Sequence, residues 1–257
     1  MILAVDAGNT AVTLGCVEGR EILNLARLAT SPGRSADEYA VLMERVLSLR
    51  GVKLREFEGA AIASVVPPLT EVLREAVRLI TGHDALVVGA GVKTGLNIGI
   101  DDPSQMGADL VAGAVAALDA HSPPVIIIDM GTATTITVIG PNSRLLGGAI
   151  LPGAASLLPR ISLEAPKRVI GSGTIECMKS GAVFGAACAI DGMIDRMEAE
   201  LGGSAAVVAT GGLAERIIPY CTHDIELDDY MLLRGLSLIW QRNRRERRRE
   251  AKQAPHA

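Results

Sequence analysis

Ile2-Leu3-Ala4-Val5-Asp6-Ala7-Gly8-Asn9-Thr10-Ala11-Val12-Thr13 opens the chain. Near the middle a relative of it returns as Val125-Ile126-Ile127-Ile128-Asp129-Met130-Gly131-Thr132-Ala133-Thr134-Thr135-Ile136-Thr137. Each copy is a short apolar run rich in β-branched residues, then Asp-x-Gly, then small hydroxyl or amide residues and a second β-like run. That pattern predicts a buried strand, a tight turn and a returning strand. Glycine in the turn removes the Cβ that would hold a ligand off the backbone. N–H groups, hydroxyls and one carboxylate then stand together at a strand end, equipment that suits a phosphate with a cation beside it. Either copy alone reads equally well as a hairpin whose Asp and Thr satisfy their own backbone. Two copies half a chain apart point instead to a duplicated phosphate-binding unit.

Working outward, the 257 residues suffice for two related α/β halves. About 49% of residues are hydrophobic and mean hydropathy is +0.32, enough for a sizeable core. Aromatics make up only 2%, which leaves little for stacking on nucleic-acid bases. A net charge of −4 gives no general attraction to polyanions. The tail from Gln241 carries seven basic residues against two acidic, a net of +5 that leaves −9 on the body. It reads as a solvated, disordered end beyond Arg242.

Cys16, Cys177, Cys188 and Cys221 lack Cys-x-x-Cys spacing, so buried reduced thiols in a cytoplasmic protein are expected rather than a zinc site. No apolar run reads as a membrane span. The strand at Ile2 follows the start directly, with no basic leader.

The connecting elements repeat in order after each turn. Ser35 caps a helix through Tyr39, Leu42, Val46 and Leu47. Gly59–Val66 is a buried strand stopped by Pro67-Pro68, with a helix from Thr70 to about Ile80 and a short strand at Leu86-Val87-Val88. The glycine-rich Gly89-Ala90-Gly91-Val92-Lys93-Thr94-Gly95 is no Walker loop, because Val92 stands where Gly-Lys-Thr needs glycine, and it misses the dinucleotide spacing by one residue. It reads as a connection. A small-residue helix spans Ala108 to about Ala120, with Asp109 in its first turn. In the second half, a helix of small residues covers about Ile175 to Glu200. Ala206-Val207-Val208-Ala209 is a strand running into Thr210-Gly211-Gly212, and the last helix covers about Asp229 to Arg242.

Three acids stand out: Asp6, Asp129 and Asp109. Phosphoryl transfer needs donors on the phosphates, a metal and a base near the acceptor hydroxyl, and Asp109 can be that base. At these residues the sequence resembles the type III pantothenate kinases, of the acetate and sugar kinase/Hsp70/actin superfamily. The matching motifs are Asp6-Ala7-Gly8-Asn9-Thr10, Ser64-Val65-Val66-Pro67-Pro68, Gly107-Ala108-Asp109, Asp129-Met130-Gly131-Thr132-Ala133-Thr134-Thr135, Gly147-Gly148-Ala149-Ile150-Leu151-Pro152-Gly153 and Thr210-Gly211-Gly212.

The resemblance implies an α/β fold of two duplicated ribonuclease-H-like (actin-like ATPase) halves, residues 1–120 and 121–242, with a nucleotide cleft between them. It further implies a homodimer that phosphorylates pantothenate with ATP and magnesium, the first step of coenzyme A synthesis, with neither nucleic acid nor membrane as partner. Carried over by motif, Asp6, Ala7, Gly8, Asn9, Thr10, Ala11, Val12, Thr13 and Thr132 bind ATP. Gly107, Ala108, Asp109, Leu110 and Thr174 bind substrate, Asp109 accepts the proton, and Asp129 holds an activating potassium or ammonium ion.

The family pattern is Gly-x-Asp-Arg, with a tyrosine often found upstream. Here Leu110 and Ile100 stand instead, and the stretch between Gly153 and Leu158 is short. Those departures imply weaker pantothenate binding, and they favour, as the alternative, an altered-substrate or non-catalytic nucleotide-binding regulator. A kinase or polyphosphate hydrolase elsewhere in the superfamily is a more distant option.

Overall fold

Two sheets share one strand plan in the computed structural model, which describes residues 1–103, 106–153 and 163–253. The first holds β1 (Ile2–Ala7), β2 (Ala11–Glu18), β3 (Glu21–Ala29), β4 (Ala60–Ser64) and β5 (Ala85–Val87) in the order β3-β2-β1-β4-β5. The second holds β6 (Asn97–Ile98), β7 (Val125–Met130), β8 (Ala133–Ile139), β9 (Arg144–Pro152), β10 (Ala206–Thr210) and β11 (Glu226–Leu227), in the order β11-β10-β7-β8-β9-β6. Apart from β6, the two orders are the same. In each, an antiparallel meander is followed by two parallel strands, the first pairing with the strand that carries the Asp-x-Gly turn. The duplication read from the sequence is therefore a duplication of topology.

Helices α1 (Ala36–Ser48), α2 (Pro67–Thr81), α3 (Ala108–Ala120), α4 (Thr174–Leu201), α5 (Ala214–Ile217) and α6 (Met231–Gln253) complete the described chain, with short 3₁₀ turns at Leu54–Glu56 and Ile218–Tyr220. Ser35 caps α1 through a capping box, its hydroxyl accepting from the Glu38 N–H while Glu38 accepts from the Ser35 N–H. Pro67 and Pro68, which the sequence reading took only as a strand stop, open α2. A proline lacks only an N–H that the first helical turn cannot use. Asp191 of α4 accepts the N–H groups of Thr222 and His223, tying the segment before β11 to that helix.

The chain divides into two units. One comprises residues 1–95, 104–116 and 230–257; the other comprises 96–103 and 117–229. This differs from a division at residue 120 with a loose tail, because α6 belongs to the first unit. Gly15 of β2 and Gly59, just before β4, lie against Leu233 and Trp240 of α6, which only side chains as small as hydrogen permit. Past Arg242 the chain remains helical to Gln253, since arginine and glutamate are good helix formers. The near side of this extension is anchored. Arg242 donates to the Thr94 carbonyl, Asn243 brackets the backbone of Lys93, and Glu246 pairs with Lys93 at 2.8 Å. Arg244 pairs with Glu58 and lies 4.9 Å over the Trp240 ring.

The core of the first unit lies between the sheet and α1–α2, where Leu3, Val5, Ile62, Tyr39, Met43 and Leu73 are buried. In the second, Ile126, Ile128 and Met130 meet Val183, Ile190 and Ile194 of α4. Two expectations need correction here. By length and composition α4 does reach a membrane span, with a window of mean hydropathy 1.3, because Ala and Cys raise hydropathy without long apolar side chains to flag it. Its buried stripe marks it as a core helix of this unit. Cys177 and Cys188, expected to be buried, lie on its exposed side, although Cys16 is buried as expected.

Candidate active site

The first turn belongs wholly to the first unit. Strand β1 delivers Asp6 beside Thr13 of β2 and Ala63 of β4, on the face opposite the α1–α2 core. The Gly8 N–H closes the hairpin on the Ala11 carbonyl (3.0 Å). Thr30, just past β3, locks the turn from the side, its hydroxyl donating to the Gly8 carbonyl (2.6 Å) and its N–H to Thr10 (3.1 Å). Asn9 and Thr10 remain exposed at the tip. Thr30 was not singled out from sequence, because a lone threonine before Ser31-Pro32 carries no motif; its role comes from the pairing of β3 beside the turn.

Asp109 is linked to this turn through the end of β4. The Val65 N–H bonds the Ala7 carbonyl (3.0 Å), and Val65 in turn lies beside Gly107, so the start of α3 sits over the end of β4. The Asp109 carboxylate folds back over Gly107 and accepts the Leu110 N–H at 2.8 Å. A Cβ on Gly107 would lie 2.3 Å from that carboxylate, so glycine here leaves room for the side chain to take this position. Further along, α3 is pinned by α6, because a Cβ on Gly235 would sit 1.9 Å from the Ala112 carbonyl oxygen. Ala108 and Leu110 are half-buried neighbours of Asp109.

The second turn belongs wholly to the second unit and repeats the plan. Asp129 of β7 faces Thr135 of β8 and Thr210 of β10, and the Gly131 N–H closes on Ala133 (3.0 Å). Two close approaches shape it. Gly153 backs onto the Thr132 carbonyl, leaving 2.2 Å to where a Cβ would stand. Gly211, at φ +96°, lies so close to Met130 and the Asp129 carboxylate that a Cβ there would stand only 2.7 Å from them. Thr132 is exposed at the tip. The Thr210 hydroxyl is buried and has no hydrogen-bond partner among the described residues, an arrangement that ordinarily costs about 1–3 kcal/mol. The side chains in register with Asp129, Thr135 and Thr210, carry hard hydroxyl oxygens, which fit a hard cation and not a soft metal. Among the described residues no cluster of three His, Cys, Asp or Glu side chains forms a metal cage.

Thr174 opens α4 and is exposed. The helix start beside it is fixed by Ser172, whose N–H and hydroxyl both bond Glu176 (3.0 and 2.8 Å) and hold that carboxyl below its usual range. Ile100 is half-buried and packs near Gly147. The shortened stretch between Gly153 and Leu158 lies outside the described residues.

The family model for type III pantothenate kinase matches residues 2–196. A type III pantothenate kinase of Moorella thermoacetica is 41% identical over 95% of this chain and its own full length. That of Myxococcus xanthus is 38% identical over 95% of this chain and 99% of its own. Among solved structures, an activator of the 2-hydroxyisocaproyl-CoA dehydratase from Clostridium difficile with bound ADPNP aligns at TM-score 0.58 and 13% identity, covering 97% of each chain. Component A of the (R)-2-hydroxyglutaryl-CoA dehydratase of Acidaminococcus fermentans aligns at 0.56 and 15%, covering 92% and 96%. At such low identity these two establish the fold alone, that of the actin-like ATPases. With full-length relatives at about two in five identical residues and the family model spanning three-quarters of it, the chain belongs to the type III pantothenate kinase family.

Proposed function

We infer that this chain transfers the γ-phosphoryl group of ATP to the terminal hydroxyl of pantothenate, the opening step of coenzyme A synthesis. The observation that carries the reading is Asp109 at the start of α3, a carboxylate held over Gly107, which lies by Val65, itself bonded to Ala7 at the end of the Asp6 strand. Residues 6–13 hold the ATP phosphates on the turn's N–H groups, and Thr132 keeps the ATP-binding role that its motif implies. As pantothenate's hydroxyl oxygen bonds to the γ-phosphorus, the bond to ADP breaks and Asp109 takes the hydroxyl proton. Little general-base strength is needed, because phosphoryl transfer is mostly positioning and charge stabilisation.

Magnesium would be held with the nucleotide, Asp6 being the carboxylate of that turn, and would neutralise phosphate charge. Asp129 would hold an activating potassium or ammonium ion; Gly107, Ala108 and Leu110 serve the acceptor beside Asp109, and Thr174 keeps the substrate-binding role that its motif implies. The active form is a homodimer. Support for this comes from Val169, Ile170 and Ile175, 64–88% exposed around the start of α4, an apolar surface that a second copy would cover. The cytoplasm, where ATP is plentiful and thiols stay reduced, is the compartment this chemistry suits.

One observation favours a second reading, in which the acceptor has changed. Leu110 stands half-buried beside Asp109, where an arginine would meet the pantothenate carboxylate. The test is Asp109→Asn. Turnover of pantothenate should fall by about 10²–10⁴ while ATP affinity stays within a few-fold of wild type. Near wild-type turnover would remove the assigned base.

A further inference from the structure

The two duplicated turns differ in one strand neighbour. In the first sheet Asp6 lies between Thr13 and Ala63; in the second, Asp129 lies between Thr135 and Thr210. Residues in register on adjacent strands project from the same face with Cβ atoms about 5 Å apart. Asp129 is thus the middle of a row of three oxygen-bearing side chains, whereas the row through Asp6 ends on a methyl group.

Thr210 is only 2% exposed, and its hydroxyl bonds to nothing among the described residues, not even to Asp129 one strand away. A buried hydroxyl left so is costly unless something fills the gap. Gly211 follows it at φ +96° and brings its backbone against the same carboxylate, so the corner is built closely around Asp129. Valine or alanine would serve a purely structural role in β10 as well, and they occupy its other positions at 206–209.

From this row we propose that Thr210 is a ligand of the monovalent cation at Asp129, and that it is what distinguishes the second turn from the first. The claim rests on the cation reading given above. Charge supports it: one carboxylate between two neutral hydroxyls offers a single negative charge, which balances a monovalent ion, while divalent sites gather several carboxylates. Placement supports it too. The Thr210 hydroxyl faces in register with Asp129 yet makes no hydrogen bond to it, and an ion between them would engage both oxygens without one touching the other. Ala63 cannot do the same for Asp6, so the first turn is left to phosphate.

The test compares wild type, Thr210→Val and Thr210→Ser by the rise in melting temperature on titrating potassium into cation-free protein, without nucleotide. It is paired with anomalous scattering from crystals grown with thallium(I), which stands in for potassium. Wild type and Thr210→Ser should respond alike, and Thr210→Val should need about tenfold more potassium. The thallium peak should contact both Asp129 and Thr210. A wild type indifferent to potassium, with no thallium at Asp129, would overturn the cation reading itself. A wild type that responds while Thr210→Val responds equally, or a thallium peak on Asp129 beyond reach of Thr210, would overturn the role of Thr210 alone. Should Thr210→Val fail to fold, the thallium contact and Thr210→Ser decide.

Discussion

Gly211→Ala probes the second turn most sharply, because two independent costs meet at one atom. At φ +96° a residue with a Cβ pays about 1–2 kcal/mol for the left-handed backbone. The Cβ would also stand 2.7 Å from the backbone nitrogen and carbon of Met130 and from the Asp129 carboxylate. Side-chain rotation cannot relieve a backbone overlap, so β7 or β10 must shift, which typically costs about 1–3 kcal/mol. Together these give roughly 2–5 kcal/mol. At about 2–4 °C per kcal/mol for a chain of this size, the melting temperature should fall by roughly 4–20 °C. Activity should fall as well, since the displaced group is Asp129. Gly212→Ala is the control. Its Cβ meets nothing within 4 Å and its φ is not positive, so stability should stay within about 0.5 kcal/mol of wild type. Thermal melts of the three proteins, followed by circular dichroism, read the difference. If Gly211→Ala melts with wild type and Gly212→Ala, Gly211 is not wedged against Asp129, and the described corner is wrong.

Two further outcomes follow from the acceptor side and the exposed apolar face. Leu110→Arg should raise kcat/KM for pantothenate roughly ten- to hundredfold over a neutral amide analogue, since a charge-assisted bond contributes about 1.5–3 kcal/mol; an unchanged ratio would mean that position 110 does not read the carboxylate. Light scattering at micromolar concentration should give twice the 26.8 kDa chain mass, and Ile170→Asp with Ile175→Asp should shift it toward the monomer. A monomeric wild type would leave the apolar face around α4 without the proposed partner.

The turns were legible in the sequence because each apolar, β-branched run is too short for anything but a buried strand, and Asp-x-Gly ends it. The pairings Asp6 with Thr13 and Asp129 with Thr135 are what a tight return demands. The span of α3 was legible for a similar reason: glycine precedes it and alanines fill it, and the structure places it at Ala108–Ala120. What stayed hidden depends on partners distant in the chain. Strands β6 and β11 are two residues each and exist only because β9 and β10 pair with them. The helical continuation past Arg242 looked like a charged tail, since nothing local shows that Lys93, Thr94 and Glu58 lie alongside it. Thr210 entered the sequence reading only as the first residue of the Thr210-Gly211-Gly212 motif, with no role of its own. Its significance appears only when β10 is laid beside Asp129 and its hydroxyl is left without a partner.

The most direct measurement is the fate of the γ-phosphorus. Phosphorus NMR of the purified chain with ATP, magnesium, potassium and pantothenate should show ADP and one new phosphomonoester, equal in amount, whose proton coupling places it on pantothenate's primary hydroxyl. ADP matched by inorganic phosphate alone, or no turnover with pantothenate while another hydroxyl acceptor is phosphorylated, would contradict the account.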